Sequence, residues 1–324
     1  MPRFTHDLPF DPAHGHTPDT LSAVPAPPAP AGFDDFWRSR RATARRIDPR
    51  ARVGAFVEER DGVRVHEVTY ASTGGRLGGW LALPADGRPA RHGFVIGHGY
   101  GGRDTAGAAL PLPLPGSAAI LPCVTGMPTR SLRADVPARS AEHVLHGIGS
   151  RDTYVLGDCV ADLWCAATAL LELVPELDGR GLGYLGESLG GGLGALALPW
   201  DERFAAALLT VPTFGNHPLR LALPSTGSGE SVREYAREHP EVVDVLAYYD
   251  AATAATRLRL PVLAACALFD PAVPPPGQFA VHNALAGPHT LHLLDAGHFA
   301  HPGEAEERRR LRAATDAFFA RHLR

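Results

Sequence analysis

Leu182-Gly-Tyr-Leu-Gly-Glu-Ser188-Leu-Gly-Gly-Gly-Leu-Gly-Ala-Leu-Ala-Leu198 is the stretch on which the fold turns. An apolar strand over Leu182 to Leu185 runs into Gly186-Glu-Ser188-Leu-Gly190, and a Gly/Ala/Leu-rich helix follows from Leu189 to Leu198. Strand, tight turn carrying a serine, then helix is the setting of a nucleophile elbow. The serine of such an elbow sits in a strained turn, so its neighbours two residues away must be small, as Gly186 and Gly190 are. The helix N-terminus behind it directs free N–H groups and the positive dipole end towards any oxyanion formed there. With 35 glycines in 324 residues the five-residue motif arises easily by chance, so the flanking strand and helix carry the reading. Gly181-x-Gly183-x-x-Gly186 also matches a dinucleotide fingerprint, but its glycines precede and interrupt the strand instead of following it.

A serine nucleophile needs a base, and the base needs an acid to fix its tautomer. In this arrangement the acid and then the histidine follow the serine, each in the loop after a strand. Strand Val262 to Leu268 ends at Phe269-Asp270, and strand Thr290 to Leu294 ends at Asp295-Ala-Gly-His298. Asp270 is therefore the expected acid and His298 the expected base. Sixteen histidines make a strand-end histidine unsurprising, and His301, one step later in the same loop, is the alternative base. Asp295 reads as a turn cap, and His289 and His292 fall at the start of or within the strand.

Upstream, strand Phe94-Val-Ile96 opens into Gly-His98-Gly-Tyr100-Gly-Gly, a loop whose glycines let backbone approach a substrate. The expected oxyanion donors are the N–H groups of Leu189, next to the nucleophile, and of Tyr100 in this loop. His98 is expected to pack beneath the site without a chemical role. Ala118 to Leu121 is a second buried strand, and Val63 to Tyr70 with Leu77 to Leu83 forms a hairpin at the sheet edge. Leu156, Val160, Leu163, Trp164, Ala167, Leu170 and Leu171 follow a helical period, with Asp152 as the expected cap and Pro175 as the stop. Phe204 to Val211 is another strand, residues 212–250 read as a helical insertion near the pocket, and a helix from Glu304 to His322 closes the chain.

The class implied is an α/β-hydrolase fold: a mostly parallel sheet with an antiparallel N-terminal hairpin and helices on both faces. A Pro/Ala-rich arm over residues 1–31 precedes one large domain over 32–324, which starts with a short helix at Gly32-Phe-Asp-Asp-Phe-Trp37. Hydrophobic residues are 45% of the sequence, enough for a sizeable core, and the net charge of −4 argues against nucleic acid or an anionic membrane as partner. Cys123, Cys159, Cys165 and Cys266 form no Cys-x-x-Cys pair, so they read as reduced thiols of a cytoplasmic protein. His14 and His16 lack further ligands nearby, and no cofactor or metal is expected.

With these residues in hand, the sequence over 32–322 resembles the acetyl xylan esterase and cephalosporin C deacetylase family, carbohydrate esterase family seven. The likeness runs through Gly32 to Trp37, Val68 to Leu81, His98-Gly-Tyr100-Gly-Gly and His146 to Tyr154. It continues through Gly186-Glu-Ser188-Leu-Gly, Leu268-Phe-Asp270-Pro and Ala296-Gly-His298. The resemblance implies Ser188, Asp270 and His298 as the triad, with Tyr100 and Leu189 as oxyanion donors. It further implies a serine carboxylic-ester hydrolase that deacetylates small acetylated substrates, such as acetylated sugars or xylo-oligosaccharides. The chain departs from the family in three places. Gly126-Met-Pro-Thr-Arg-Ser131 stands where the family has Arg-Gly-Gln-Gly, Leu189 stands for glutamine, and Phe299 for glutamate. The family's hexameric rings make a homo-oligomer an expectation. Within the same fold, a peptidase or a thioesterase is the rival reading, and a non-catalytic binding protein is the rival from another class.

Overall fold

The computed structural model describes residues 4–323. Two helices open it: α1 (Pro18–Ser22), closed by a capping box between Thr17 and Thr20, and α2 (Phe33–Arg45). The Gly32–Trp37 signal thus marks only the first turn of a 13-residue helix, entered through Gly32 in the left-handed region (φ 73°). Five strands follow: β1 (Arg52–Arg60), β2 (Val63–Ser72), β3 (Gly75–Pro84), β4 (His92–Ile96) and β5 (Ser117–Pro122). Then come α3 (Ser140–His143), α4 (Val155–Leu173), β6 (Leu182–Glu187), α5 (Leu189–Ala197) and β7 (Phe204–Thr210). The segment expected to be a helical insertion contains α6 (His217–Ala222), α7 (Ser228–Glu238) and α8 (Val242–Leu246). The chain ends with α9 (Ala251–Ala255), β8 (Val262–Ala267), α10 (Pro275–Asn283), β9 (His289–Leu294) and α11 (Glu304–His322).

The nine strands of the described residues form one sheet in the order β1-β2-β3-β5-β4-β6-β7-β8-β9. β4 to β9 run parallel, whereas β1, β2 and β3 are antiparallel neighbours and β3 meets β5 antiparallel. The hairpin of β2 and β3 is therefore not the sheet edge: β1 lies outside it. β1 escapes a periodicity reading because it has no buried face. Val53 and Phe56, at 46% and 57% exposure, project as freely as its charged residues. A second correction concerns Asp152. α4 starts at Val155 with Tyr154 as its cap, and no side chain caps it.

Side chains from alternate strand positions feed two cores, as a period of two requires. Val95, Tyr184, Leu209 and Cys266 join the larger one, beneath α2, α4, α5, α9 and α10. Phe94, Leu185, Leu208 and Ala265 face the smaller one, whose α-helical residues all come from α11. On the larger side Trp37 and Trp164 are fully buried, and each indole N–H donates to a carbonyl, of Tyr248 and Ala197 respectively. The four cysteines are free and buried. Among the described residues no helix is long and apolar enough to cross a membrane.

The N-terminal arm lies against the body of the protein. Asn283 donates to the carbonyls of Leu21 and Val24, Asn216 to that of Pro25, and Thr253 to that of Pro27. Further back, the Phe4 ring meets Phe269 and Phe299 at centroid distances of 5.0 and 5.5 Å. The Pro12 carbonyl accepts from the Asp270 N–H at 3.4 Å.

Candidate active site

The order of strands reverses at β4 and β6, whose onward connections run to opposite sides, and the site sits at the carboxyl ends of the strands at this switch, where open α/β sheets place ligands. β6 stops at Glu187 and α5 starts at Leu189, leaving Ser188 alone in the turn with φ 54° and ψ −112°. That backbone is strained for a residue with a side chain and needs close support. The Ser188 N–H donates to Thr210 at 2.9 Å, and its carbonyl accepts from Gly192 and Thr213. A Cβ on Gly186 would lie 2.4 Å from the Gly190 carbonyl oxygen, so the approach of strand to helix requires glycine there.

Ser188, Asp270 and His298, nominated separately by the sequence, converge. Ser188 Oγ is 2.9 Å from His298 Nε2, and His298 Nδ1 is 2.9 and 3.1 Å from the two oxygens of Asp270. With Asp270 as acceptor, Nδ1 carries the proton and Nε2 is left to accept from the serine hydroxyl. Asp270 is fully buried, and its charge is met by N–H donors from Ala272, Val273 and the Gln278 amide, each at 2.9 Å. Burial alone would lower the His298 pKa. The hydrogen bond and charge of Asp270, with a contribution from Glu187, outweigh it and hold the imidazole above its ordinary value of 6.5.

The residues expected as oxyanion donors lie on two elements that meet near Ser188. Leu189 occupies the first position of α5, and Tyr100 lies in the loop after β4. Among the described residues neither N–H donates to a protein group. The loop is tied to the elbow, because the Gly190 N–H donates to the His98 carbonyl at 2.9 Å. His98 itself is buried, donating from Nδ1 to Gly99 and accepting at Nε2 from the Val124 N–H. Burial pushes its pKa down to about 4, so it stays neutral and serves as packing. His301 makes no bond to Ser188 or Asp270 and lies 3.4 Å from Glu307.

A sequence profile of the acetyl xylan esterase (AXE1) family matches residues 21–314. The chain belongs to the acetyl xylan esterase family. Acetyl esterase Axe7A of Xylanibacter ruminicola is 27% identical over 146 residues, spanning 45% of this chain and 33% of that protein. Acetyl xylan esterase from Paenibacillus sp. R4 superimposes with a TM-score of 0.78 at 24% identity, covering 92% of this chain and 99% of that one. Acetyl xylan esterase 1 from Thermoanaerobacterium sp. JW/SL YS485 gives 0.78 at 20% identity, covering 94% and 99%. These two likenesses show the fold.

Two residues of this acetyl xylan esterase family member carry support that the sequence does not reveal. Arg103 donates to the carbonyls of Ile96 and Gly97, each at 3.0 Å, bracing the loop that carries Tyr100. Among the described residues no carboxylate pairs with it, and burial brings its pKa down to about 10. His143 is fully buried, bonded at Nε2 to the Thr125 carbonyl (2.9 Å) and at Nδ1 to the Tyr100 phenol (3.2 Å). The Nε2–H donates to the carbonyl, so Nδ1 accepts from the Tyr100 phenol and fixes its ring. Thr125, the residue before segment 126–131, is thus linked to Tyr100 through His143. Among the described residues no group of three or more His, Cys, Asp and Glu could hold a metal ion.

Proposed function

We propose that this chain is a serine carboxylic-ester hydrolase that removes acetyl groups from small acetylated substrates, acetylated sugars and short xylo-oligosaccharides before others. The observation that carries the reading is the 2.9 Å approach of Ser188 Oγ to His298 Nε2, with Asp270 behind it. Ser188 attacks the acetyl carbonyl while His298 takes its proton, and Asp270 keeps the imidazole in the right tautomer and stabilises its charged form. The Leu189 and Tyr100 N–H groups receive the oxyanion of the tetrahedral intermediate. His298 then returns the proton to the departing alcohol, and a water activated by the same histidine releases acetate from the acyl-enzyme. No step calls for a cofactor. We place the protein in the cytoplasm, a reading supported by four free thiols.

The test is turnover of 4-nitrophenyl acetate by the protein and by Ser188→Ala. The variant is expected to lose at least about a thousandfold in kcat with its fold intact by circular dichroism. Near-unaltered turnover in the folded variant would refute the assignment. Short acyl esters should outrun peptides and thioesters; the reverse order would favour the rival readings.

A further inference from the structure

The connection from β4 to β5 is too rich in proline to cover the sheet with a helix. Between Gly97 and Gly116 it makes a single 3-10 turn, Gly107–Ala109, and Pro111, Pro113 and Pro115 occupy alternate positions beyond it. Between this loop and α11 an open cleft of about 850 Å³ remains. That volume falls within the ~300–1,000 Å³ of small-molecule pockets. Ile96, Leu185 and Leu208 form an apolar floor. Towards the far end Arg312 of α11 donates to the carbonyls of Pro111 and Leu112, tying helix to loop.

The near end of the cleft meets the site at His298. His298, Glu187 and Gly99 line it, and a Cβ on Gly99 would stand 3.9 Å from that of Ser188. Ser188, Tyr100 and Leu189 do not line it. In the tetrahedral intermediate the carbonyl oxygen belongs to the Tyr100 and Leu189 N–H groups, whereas the leaving alcohol oxygen must lie beside His298 Nε2 to receive its proton. The alcohol half of the ester is thus the half that faces the cleft.

The charges of the cleft are unequal in availability. Arg308 pairs with Glu304, Arg312 with Asp316, and Arg103 is held by two carbonyls. Among the described residues Glu187 and Asp104, both exposed, have no ion-pair or hydrogen-bond partner. Free carboxylates accept hydrogen bonds from hydroxyl groups and repel anions.

We infer that this cleft holds the leaving alcohol, and that Glu187 and Asp104 select neutral hydroxylated alcohols over anionic ones. The inference rests on the esterase reading. The bond formed is that from Ser188 Oγ to the acyl carbon; the bond broken is that from the acyl carbon to the alcohol oxygen. The proton taken from Ser188 passes through His298 Nε2 to that oxygen, so this step needs nothing beyond the ester and the protein, and water then releases acetate from Ser188.

Two acetate esters of like size separate the charge effect: 4-acetoxybenzamide, neutral, and 4-acetoxybenzoate, anionic. The protein should prefer the neutral ester by about tenfold or more in kcat/KM at low salt, and the preference should shrink in 0.5 M NaCl. Asp104→Lys should bring the ratio to within about threefold, and Glu187→Gln should move it the same way. A ratio unchanged in both variants overturns the charge selection. Location is tested by Thr105→Trp, an exposed position on the cleft wall. It should lower kcat/KM on acetylated xylobiose at least about tenfold and leave methyl acetate within about twofold. Equal effects on the two esters would remove the alcohol from the cleft. Methyl acetate turnover by the unaltered protein judges the esterase reading on its own, since methanol is too small to need the cleft.

Discussion

An oxygen of Asp270 occupies the space that a side chain at position 297 would need. A Cβ on Gly297 would lie 2.3 Å from Asp270 Oδ2, so acid and histidine loop touch through a glycine. Gly297→Ala must push the two apart, and a displacement near 1 Å at such a site costs about a hundredfold in rate. Activity should fall that far while the melting temperature moves little; unaltered kcat would show that the loops are not held in register by this contact. Protonation offers a second check. The base must be neutral, and Asp270 holds His298 above the ordinary pKa, so kcat/KM should fall as pH drops through a value above 6.5. Asp270→Asn removes the charge and the proper tautomer. It should lower kcat by roughly 10⁴ and move the inflection to lower pH. An inflection that stays in place in a pH–rate profile of that variant would deny Asp270 its role. Ser188, Asp270 and His298 are legible in the sequence because each stands at the end of an apolar strand. Arg103 and His143 are not, since they act on carbonyls and on a phenol that only the folded chain brings near.

At the scale of elements, the loop from Cys123 to Ser131 is anchored by a carboxyl inside α4. Asp162 is fully buried and accepts from the Ser72 hydroxyl and the Thr125 N–H, both at 2.6 Å. One residue thus joins the end of β2, the loop after β5 and α4. Burial raises its pKa to about 7, against the lowering effect of the Ser72 and Thr125 bonds. The folded protein therefore keeps a proton between about pH 4 and 7 that the unfolded chain releases. The stabilising contribution of this group is complete below the unfolded pKa and is lost as pH rises through the folded one. Asp162→Asn can keep both partners, accepting from Thr125 through its oxygen and donating to Ser72 through its amide. Thermal unfolding between pH 5 and 8 should show a decline in Tm with rising pH that is shallower in the variant. Equal slopes would mean that Asp162 does not titrate in this range. Periodicity located α4 but could not locate this anchor. An aspartate between Ala161 and Leu163 reads as a solvated position until Ser72 and Thr125 arrive beside it.

Across the whole molecule, the mostly parallel sheet and the closing helix follow from alternating strands and helices, whereas the outer place of β1 and the course of the arm do not. Its prolines forbid helix over Val24–Gly32, which the sequence states, but its carbonyls find donors on Asn216, Thr253 and Asn283, some 190 to 260 residues away. No local pattern records such partners. The far end of the arm has a mechanical consequence, because Phe4 touches the residue before Asp270 and the residue after His298. Acid and base lie on loops after different strands, and this ring spans both. Removing residues 1–12 takes away the Phe4 contacts and the Pro12 carbonyl that accepts from Asp270, but spares α1 and the bonds beyond it. An aromatic pair is worth about 0.5–1.5 kcal/mol beyond the area it buries. The loss should therefore lower Tm by a few degrees, at about 2–4 °C per kcal/mol for a domain of this order of size. Turnover should suffer earlier than the fold, since the two loops can part before the sheet melts. Heating the truncated protein while following 4-nitrophenyl acetate hydrolysis and circular dichroism together separates these events. Activity lost several degrees below the unfolding midpoint, in the truncated chain only, is the expected result. Coincident curves in both proteins would make the arm a surface strap with no hold on Asp270 and His298.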